Sequence, residues 1–305
     1  MFWIFIFTGM QTSPTFVKPN ADDFKSVARA LTMVENNLQN ADEVLKSLVF
    51  DKIVPVIGVT GPPGAGKSTL VNELIGDLSN EGKKVAVLAI DPTSPFNFGS
   101  LLGDRIRMAT HFNHPNVFIR SLATRGSLGG LSAKTIEMTD VLRAAGFDYI
   151  IVETVGVGQS EVEITGLADI TLLVLVPESG DEIQHIKSGL MEIADAFIVN
   201  KADRDGAEAF VNNLKKILLH NKGNEVPIFK TLATKGEGIS AIIKFITTFT
   251  RTTHLNKESL LAEKVYQILQ QKLMAKIDKK KLVEDISKAA QETNFNIYKF
   301  IEQYQ

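Results

Sequence analysis

The middle of the chain alternates short apolar runs with longer amphipathic segments. Each run is continuous and rich in Val and Ile, which indicates strands that are buried on both faces of a sheet. Strands that alternate with helices form parallel sheets covered by helices on both sides. The sequence therefore predicts a doubly wound, mainly parallel α/β domain over residues 52–250. The predicted strands are 54–60, 84–90, 117–122, 149–154, 170–176, 196–200 and 226–231.

The two ends of the chain show a helical period instead. Residues 22–49 carry apolar side chains at helical spacing, and residues 260–277 carry another such stripe. The basic run Lys279–Lys281 is interpreted as a solvated turn or helix end, with a basic docking patch as the alternative. We therefore expect an N-terminal helical extension over residues 1–51 and a C-terminal helical arm over residues 251–305.

Composition narrows the function classes. The chain has 305 residues, of which 44% are hydrophobic, so it can bury the core of one large domain. A formal net charge of −2 gives no electrostatic reason to expect nucleic-acid binding. The absence of cysteine excludes disulfides, thiolate metal sites and cysteine nucleophiles.

The apolar start, MFWIFIF, is too short for a membrane span, which needs roughly 20 apolar residues. It also lacks the basic region of a signal peptide. We expect no membrane association and a cytoplasmic location. Residues 1–9 are interpreted as an N-terminal extension, with Met10 as an alternative start.

A glycine-rich segment follows the first predicted strand and precedes a helical segment. Its sequence, GPPGAGKST, matches the P-loop pattern G-x-x-x-x-G-K-S, in which backbone N–H groups and a helix N-terminus surround phosphates. Lys67 is expected to reach the β- and γ-phosphates, and the Ser68 hydroxyl is expected to bind Mg²⁺. The expected nucleotide-binding residues here are Gly61, Pro62, Pro63, Gly64, Ala65, Gly66, Lys67, Ser68 and Thr69.

Three carboxylates, Asp91, Asp104 and Glu153, follow strand ends or glycine-rich loops. Oxygen ligands are what Mg²⁺ prefers, although each acid alone could also be a helix cap or a surface group. Glu153 begins Glu-Thr-Val-Gly, where nucleotide switch proteins usually carry Asp-x-x-Gly, so the Gly156 N–H is expected to sense the γ-phosphate. The candidate metal ligands are Ser68, Asp91, Asp104 and Glu153, and the candidate catalytic residues are Lys67, Glu153 and Asp104.

Asn200-Lys201-Ala202-Asp203 follows a later strand and matches N-K-x-D, so Asn200, Lys201 and Asp203 are expected to bind the nucleotide. The Asp203 carboxylate can accept two hydrogen bonds from guanine N1–H and N2–H₂, which adenine does not offer. Four residues alone are weak evidence and are also compatible with a helix N-cap, but behind a P-loop they favour GTP over ATP. The loop after the next strand is expected to brace the base through Leu232, Ala233 and Thr234.

With these motifs, the chain resembles the MeaB/ArgK (human MMAA-like) family of G-proteins over residues 54–239. The stretches that carry the resemblance are GVTGPPGAGKSTL, VLAIDPTSPFNFGSLLGDRIRM, RGSLGGLSAKTIE, GFDYIIVETVGVGQSE, GDEIQHIKSGLMEIAD and NKAD. The Glu of Glu-x-x-Gly is usual in this family, whereas TLAT in the base-bracing loop and the apolar start depart from it.

The resemblance implies a P-loop G domain that binds GTP/GDP and Mg²⁺ and acts as a chaperone of an adenosylcobalamin-dependent acyl-CoA mutase, above all methylmalonyl-CoA mutase. It also implies that four residues organise Mg²⁺ and the switches, namely Ser68, Asp91, Asp104 and Glu153. A homodimer joined through helical extensions is implied as well. Loop 177–187, with Asp181 and Lys187, would be an additional switch, although the residues alone indicate an ordinary surface connection.

The expected reaction is attack of water on the γ-phosphate of GTP. Gln159 is a candidate to orient that water or to make a structural hydrogen bond, and Arg105 and Arg107 are candidates to approach the phosphates. No residue is a clear catalytic base, so we expect slow hydrolysis that a partner accelerates. One alternative is a transport-associated P-loop ATPase or kinase. Another is a metallochaperone GTPase, which normally needs Cys or clustered His, whereas the five His here are scattered.

Overall fold

The computed structural model describes residues 18–91, 108–123, 133–154, 164, 166–179, 191, 194–222, 226–249, 257–274, 276–291 and 295–304. Within these residues, seven parallel strands form one sheet in the order β3-β2-β4-β1-β5-β6-β7. This confirms the predicted doubly wound α/β fold, with strand limits that shift by a few residues. The strands are β1 Val56–Thr60, β2 Val85–Asp91, β3 Val117–Ala123, β4 Tyr149–Glu153, β5 Ile170–Leu175, β6 Ala196–Val199 and β7 Ile228–Lys230.

The helices of the larger part of the chain cover both faces of this sheet. Consecutive residues of a strand point to opposite faces, and in β5 Leu172 and Val174 belong to one apolar cluster while Leu173 and Leu175 belong to another. A strand buried on both faces needs a continuous apolar run, which explains the sequence pattern. The helices are α1 Phe24–Glu35, α2 Ala41–Lys46, α3 Lys67–Asn80, α4 Ala133–Ala145, α5 Ala207–Lys222 and α6 Ile239–Thr248.

Helices α3 and α6 pack on one face of the sheet, and α5 packs on the other. Leu70, Leu74 and Leu78 of α3 are fully buried in the first cluster, as is Ile242 of α6. Leu214 of α5 is fully buried in the second. This packing holds the start of α3 beside the carboxyl end of β1. Since the strand order runs outward from β1 in both directions, a ligand crevice is expected at this edge.

The single helical stripe predicted over residues 22–49 is divided into α1 and α2. Asn37 and Asn40 have φ angles of 48° and 71°, in the left-handed region that Asn tolerates better than most residues. The turn between them takes Leu38 out of the apolar face and leaves it 49% exposed. The helical period alone could not reveal this break.

Phe24 of α1 packs against two other aromatic rings and so attaches the N-terminal helices to the α/β core. Its ring lies 5.6 Å from that of Phe118 and 6.1 Å from that of Phe147. Residues 1–251 form one compact unit and residues 252–305 form another. The domain limits at 51/52 and 250/251 stay a prediction.

At the amino ends of the strands, Asp148 accepts hydrogen bonds from Lys52 Nζ at 2.9 Å and from the Lys84 N–H at 2.8 Å. Burial alone would raise the pKa of Asp148, but the hydrogen bonds and the positive charge of Lys52 hold that pKa below its usual value. The carboxylate therefore stabilises the junction between β4 and the segments around it when it is ionised.

The described residues of the second unit form three helices, α7 Lys257–Met274, α8 Lys279–Ala289 and α9 Ile297–Ile301. The basic run Lys279–Lys281 is the first turn of α8, where the Asp278 side chain caps the helix by accepting from the Lys280 and Lys281 N–H groups. On α7, four residues at four-residue spacing are about half exposed: Leu261, Val265, Leu269 and Leu273. No helix in the described part of the chain is long and apolar enough to cross a membrane.

Candidate functional site

The segment between β1 and α3 is shaped by glycines that no other residue could replace without strain. Gly61 has φ 140°, and a Cβ there would lie 2.1 Å from the carbonyl oxygen of Val174. Gly66 has φ 87°, and a Cβ there would lie 2.3 Å from Nδ2 of Asn200. The sequence pattern that predicted this loop thus reflects both positive φ angles and close approach to β5 and to the residue after β6.

Lys67 is the first residue of α3, and only 7% of it is exposed. Its ammonium donates to the carbonyl oxygens of Gly61 at 2.8 Å and Pro62 at 3.0 Å. These bonds hold the charge across the mouth of the loop. A phosphate oxygen in the loop would be a stronger acceptor for the same ammonium, because it carries a negative charge.

Ser68 and Glu153 are brought together by the pairing of β1 with β4. Val59 pairs with Glu153, and the Ser68 hydroxyl donates to Glu153 Oε1 at 2.6 Å. Both side chains are buried, with 5% and 4% exposed. A hydroxyl and a carboxylate that are 85 residues apart in sequence therefore lie next to each other at the N-terminus of α3.

The other predicted metal ligands are only partly described. Asp91 is the last residue of β2, and β2 pairs with β4, so its backbone lies at the same edge as Glu153. Among the described residues no group of three or more His, Cys, Asp or Glu could hold a metal ion. The following predicted residues lie outside the described part of the chain: Asp104, Arg105, Arg107, Gly156, Gln159, Asp181 and Lys187.

Asn200 joins two loops at the end of β6. Its Nδ2 donates to the Ala65 carbonyl at 2.9 Å, and its Oδ1 accepts from Thr231 Oγ1 at 3.1 Å and from the Ala233 N–H at 3.2 Å. Asn200 is 3% exposed. Asn200 was predicted to contact the nucleotide. Its described hydrogen bonds lie within the protein instead, where they set the distance between the two loops.

The remaining predicted base residues lie beside this junction. Lys201 has φ 55°, and its ammonium donates to the Gly64 carbonyl at 2.8 Å. Asp203 is exposed two residues further on. In the loop after β7, Leu232 and Ala233 are buried and Thr234 is exposed. The segment that follows β6 is therefore connected directly to the glycine loop.

Arg204, next to Asp203, hydrogen-bonds the carboxylate of Glu178. That hydrogen bond, together with the positive charges of Arg204 and Lys201, lowers the pKa of Glu178 below its usual value. Glu178 belongs to the short 3₁₀ turn Pro177–Ser179 after β5, which is the described start of predicted switch loop 177–187. The pair links that loop to the segment that contains Asp203.

These elements surround a cavity of about 520 Å³, within the range of small-molecule sites. Two of its lining residues, Ile90 and Thr154, were not predicted. Thr154 directly follows Glu153 at the end of a buried strand, and that position was the available signal. The cavity is lined by Pro63, Gly64, Gly66, Lys67, Ser68, Thr69, Ile90, Glu153, Thr154 and Lys201.

Several known proteins with similar sequences are GTPases by name. A protein of Pyrococcus abyssi that bears a GTPase name is 51% identical over 232 residues, which are 72% of this chain and 70% of that protein. GTPase ArgK of Escherichia coli is 43% identical over 186 residues, 59% of this chain and 56% of its own length. The mitochondrial methylmalonic aciduria type A homolog of Caenorhabditis elegans is 39% identical over 218 residues, 63% of this chain and 55% of its own length.

A solved structure agrees with the fold. The crystal structure of an LAO/AO transport system kinase matches with a TM-score of 0.61 and 27% identity, covering 88% of this chain and 83% of that one. The family model described as methylmalonyl Co-A mutase-associated GTPase MeaB matches residues 27–291. The resemblance seen in the motifs is confirmed by this match, and the chain belongs to the MeaB family of methylmalonyl-CoA mutase-associated GTPases.

Proposed function

We propose that this GTPase depends on Mg²⁺ and gates cofactor loading and protection of an adenosylcobalamin-dependent acyl-CoA mutase, with methylmalonyl-CoA mutase as the first candidate. The hydrogen bond between Ser68 and Glu153 at the mouth of the glycine loop carries the Mg²⁺ part of this proposal. The family description and the name of the Caenorhabditis elegans relative support the mutase part.

The residues at the loop mouth fit Mg²⁺. Ser68 Oγ and Glu153 Oε1 are hard oxygen donors that lie 2.6 Å apart, the kind of ligand that Mg²⁺ selects. Ser68 and Glu153 would hold the ion directly or through its water, and Asp91 and Asp104 are proposed as further ligands. When bound, Mg²⁺ would supply positive charge that offsets the negative charge of the nucleotide phosphates.

The side chains at the loop serve binding and charge stabilisation during attack of water on the γ-phosphate. The Lys67 ammonium, held by the Gly61 and Pro62 carbonyls, is placed to offset charge that develops on the phosphoryl oxygens. Glu153 is engaged with Ser68, and no other acidic side chain lines the cavity in the described part of the chain. We therefore expect slow hydrolysis by the isolated protein and faster hydrolysis with the partner.

Asp203 is proposed as the residue that selects guanine. The rival function, a transport-associated ATPase or kinase, is favoured only by the name of the solved structural neighbour. Changing Asp203→Asn should weaken GTP and GDP binding by about 100-fold, because charge-assisted hydrogen bonds to the base are lost, and should leave ATP binding unchanged.

The matched control is Asp205→Asn, since this acid is also exposed and lies two residues further along. Isothermal titration calorimetry with GDP, GTP and ATP is applied to the wild-type protein and both variants. Equal affinities of the wild-type protein for GTP and ATP would contradict guanine selection, and so would unchanged GDP binding by the Asp203 variant.

We also propose a homodimer whose contact includes the apolar face of α7. This face presents Leu261, Val265, Leu269 and Leu273, each about half exposed. Because exposed apolar surface of this kind marks interaction sites, Leu269→Glu should turn the dimer into a monomer. Gln270→Glu introduces the same charge at the next, exposed position and should leave the dimer intact. Light scattering after gel filtration gives the mass, and a wild-type monomer would contradict the proposal.

The client is tested through linkage. GDP and GTP affinities are measured by calorimetry with and without each candidate acyl-CoA mutase. A client that binds the two nucleotide states with different affinity must shift nucleotide affinity by the same factor. An acyl-CoA mutase that neither binds the protein nor changes its GTPase rate is not its client, and failure of all candidates would overturn the chaperone proposal.

A further inference from the structure

Two adjacent residues at the end of β4 form hydrogen bonds with the residues on either side of the glycine loop. Glu153, the last residue of β4, accepts from the Ser68 hydroxyl just inside α3. Thr154, the next residue, donates its Oγ1 hydrogen to Oγ1 of Thr60 at 3.0 Å. Thr60 is the last residue of β1 and directly precedes the loop. Two adjacent residues thus bind the residue before the loop and the helix after it.

The Thr60–Thr154 pair is a buried polar contact between the end of β1 and the residue after β4. The two residues are 0% and 1% exposed, and the Thr154 N–H also donates to the Val59 carbonyl at 3.0 Å. Replacing both partners of a buried hydrogen bond by apolar groups of the same shape, here a valine pair, can be nearly neutral for stability. Packing alone therefore gives no reason for two hydroxyls at this place.

The position of the pair suggests a reason. If Ser68 and Glu153 are to serve Mg²⁺, their mutual hydrogen bond has to be exchanged for contacts with the ion or its water. The Thr60–Thr154 bond uses neither of those groups, so it can persist through that exchange. It fixes the residue next to Glu153 to β1 while the Glu153 carboxylate changes its partner.

We propose that Thr154 is a positioning residue for the Mg²⁺ side of the nucleotide site, acting through its hydroxyl bond to Thr60. The bond restrains the end of β4 and so keeps the Glu153 carboxylate within reach of Ser68 and of the ion. This inference rests on the proposed Mg²⁺ dependence of the protein. It assigns a role to two threonines that the P-loop and Glu-x-x-Gly patterns do not include.

The test compares GDP affinity with saturating Mg²⁺ and with EDTA, by calorimetry on the full chain. The ratio of the two affinities measures the coupling between nucleotide and ion. In Thr154→Val the hydroxyl is lost and the shape is nearly kept, so this ratio should fall about fivefold, the size expected for one hydrogen bond, while the affinity in EDTA stays the same. Thr154→Ser keeps the hydroxyl and should keep the ratio.

The matched control is Thr139→Val. Thr139 is also fully buried, and its hydroxyl donates to the Thr135 carbonyl within α4 at 2.7 Å. Thr139→Val also removes a buried hydroxyl, but Thr139 does not contact the described nucleotide site. The ratio of its GDP affinities with Mg²⁺ and with EDTA should therefore equal that of the wild-type protein. If Thr154→Val does not fold, Thr60→Val removes the same bond from the other side and should lower the ratio equally.

The outcomes separate the inference from the function on which it rests. A wild-type protein whose GDP affinity ignores Mg²⁺ would overturn the proposed Mg²⁺ dependence and the inference with it. If Mg²⁺ raises the GDP affinity of the wild-type protein, and raises that of Thr154→Val or Thr60→Val by the same factor, the inference alone is overturned. Equal losses in Thr154→Val and Thr154→Ser would also overturn it, because the hydroxyl would then not be the cause.

Discussion

Asn200 is the side chain whose loss should loosen the nucleotide site most without touching its charged groups. It donates to Ala65 in the glycine loop and accepts from Thr231 and Ala233 in the loop after β7. All four residues are buried, with exposures of 3%, 0%, 1% and 2%. The change Asn200→Ala removes the three hydrogen bonds together and leaves their partners without that side chain.

The size of the effect follows from those bonds. Each buried hydrogen bond contributes about 1 kcal/mol net, and a buried partner left unsatisfied costs more than an exposed one. Three bonds therefore predict a loss of about 3 kcal/mol in the free energy of unfolding. This is a large fraction of the roughly 5–15 kcal/mol by which folded proteins are usually stable. Nucleotide affinity should fall as well, because the glycine loop loses its connection to β6.

Urea unfolding of the nucleotide-free protein, followed by far-UV circular dichroism, measures the loss. Hydrogen exchange of peptides from β1 and β6 shows whether it falls on the α/β unit. Asn72→Ala is the matched control, since Asn72 is a half-buried residue of α3 whose side chain contacts Glu73 and, at 3.4 Å, Thr110. It should change stability by less than about 0.5 kcal/mol. A loss below about 1 kcal/mol for Asn200→Ala would refute the reasoning, because one hydrogen bond alone predicts that much.

Three further substitutions probe the backbone, the core and the charges. Gly61→Ala places a Cβ 2.1 Å from the Val174 carbonyl, whereas Gly82→Ala, at φ 78°, meets nothing within 4 Å. Urea unfolding should show a loss of about 1–2 kcal/mol for the Gly82 variant and a clearly larger one for the Gly61 variant, and equal losses would contradict the steric argument. Thr171→Val removes a buried hydroxyl without a hydrogen-bond partner among the described residues and should raise stability by about 1 kcal/mol in the same assay; a loss would show that the hydroxyl is satisfied. Asp148 has a pKa lowered from 3.8, so its ionised form stabilises the protein above that pH, and the stabilisation is lost as the pH falls through the lowered pKa. The free energy of unfolding, measured from neutral to acid pH, should therefore be lower for Asp148→Asn than for the wild-type protein at neutral pH and equal to it in acid. A stability difference between the two proteins that does not depend on pH would contradict the linkage.

Some features of the site were predictable because they are local in sequence. The strand at Val54–Thr60 was predicted from a continuous apolar run, and the glycine loop after it was predicted from a short motif. Both patterns reflect interactions within a few residues. The helical break at Asn37 and Asn40 was missed because their apolar neighbours keep the helical period through the turn. Side chains of the predicted residues Asp91 and Asp104 lie outside the described part of the chain, so their roles stay predictions.

The sequence by itself determined the class of the fold, the position of the phosphate loop and the family, since each is written in short contiguous patterns. Only the tertiary structure decided which side chains meet. Ser68 and Glu153 are 85 residues apart, Thr60 and Thr154 are 94 apart, and Asn200 and Ala65 are 135 apart. These contacts depend on the placement of β4 and β5 on either side of β1 and of β6 beyond β5. Strand order is a property of the whole packed sheet, and no local run of residues encodes it.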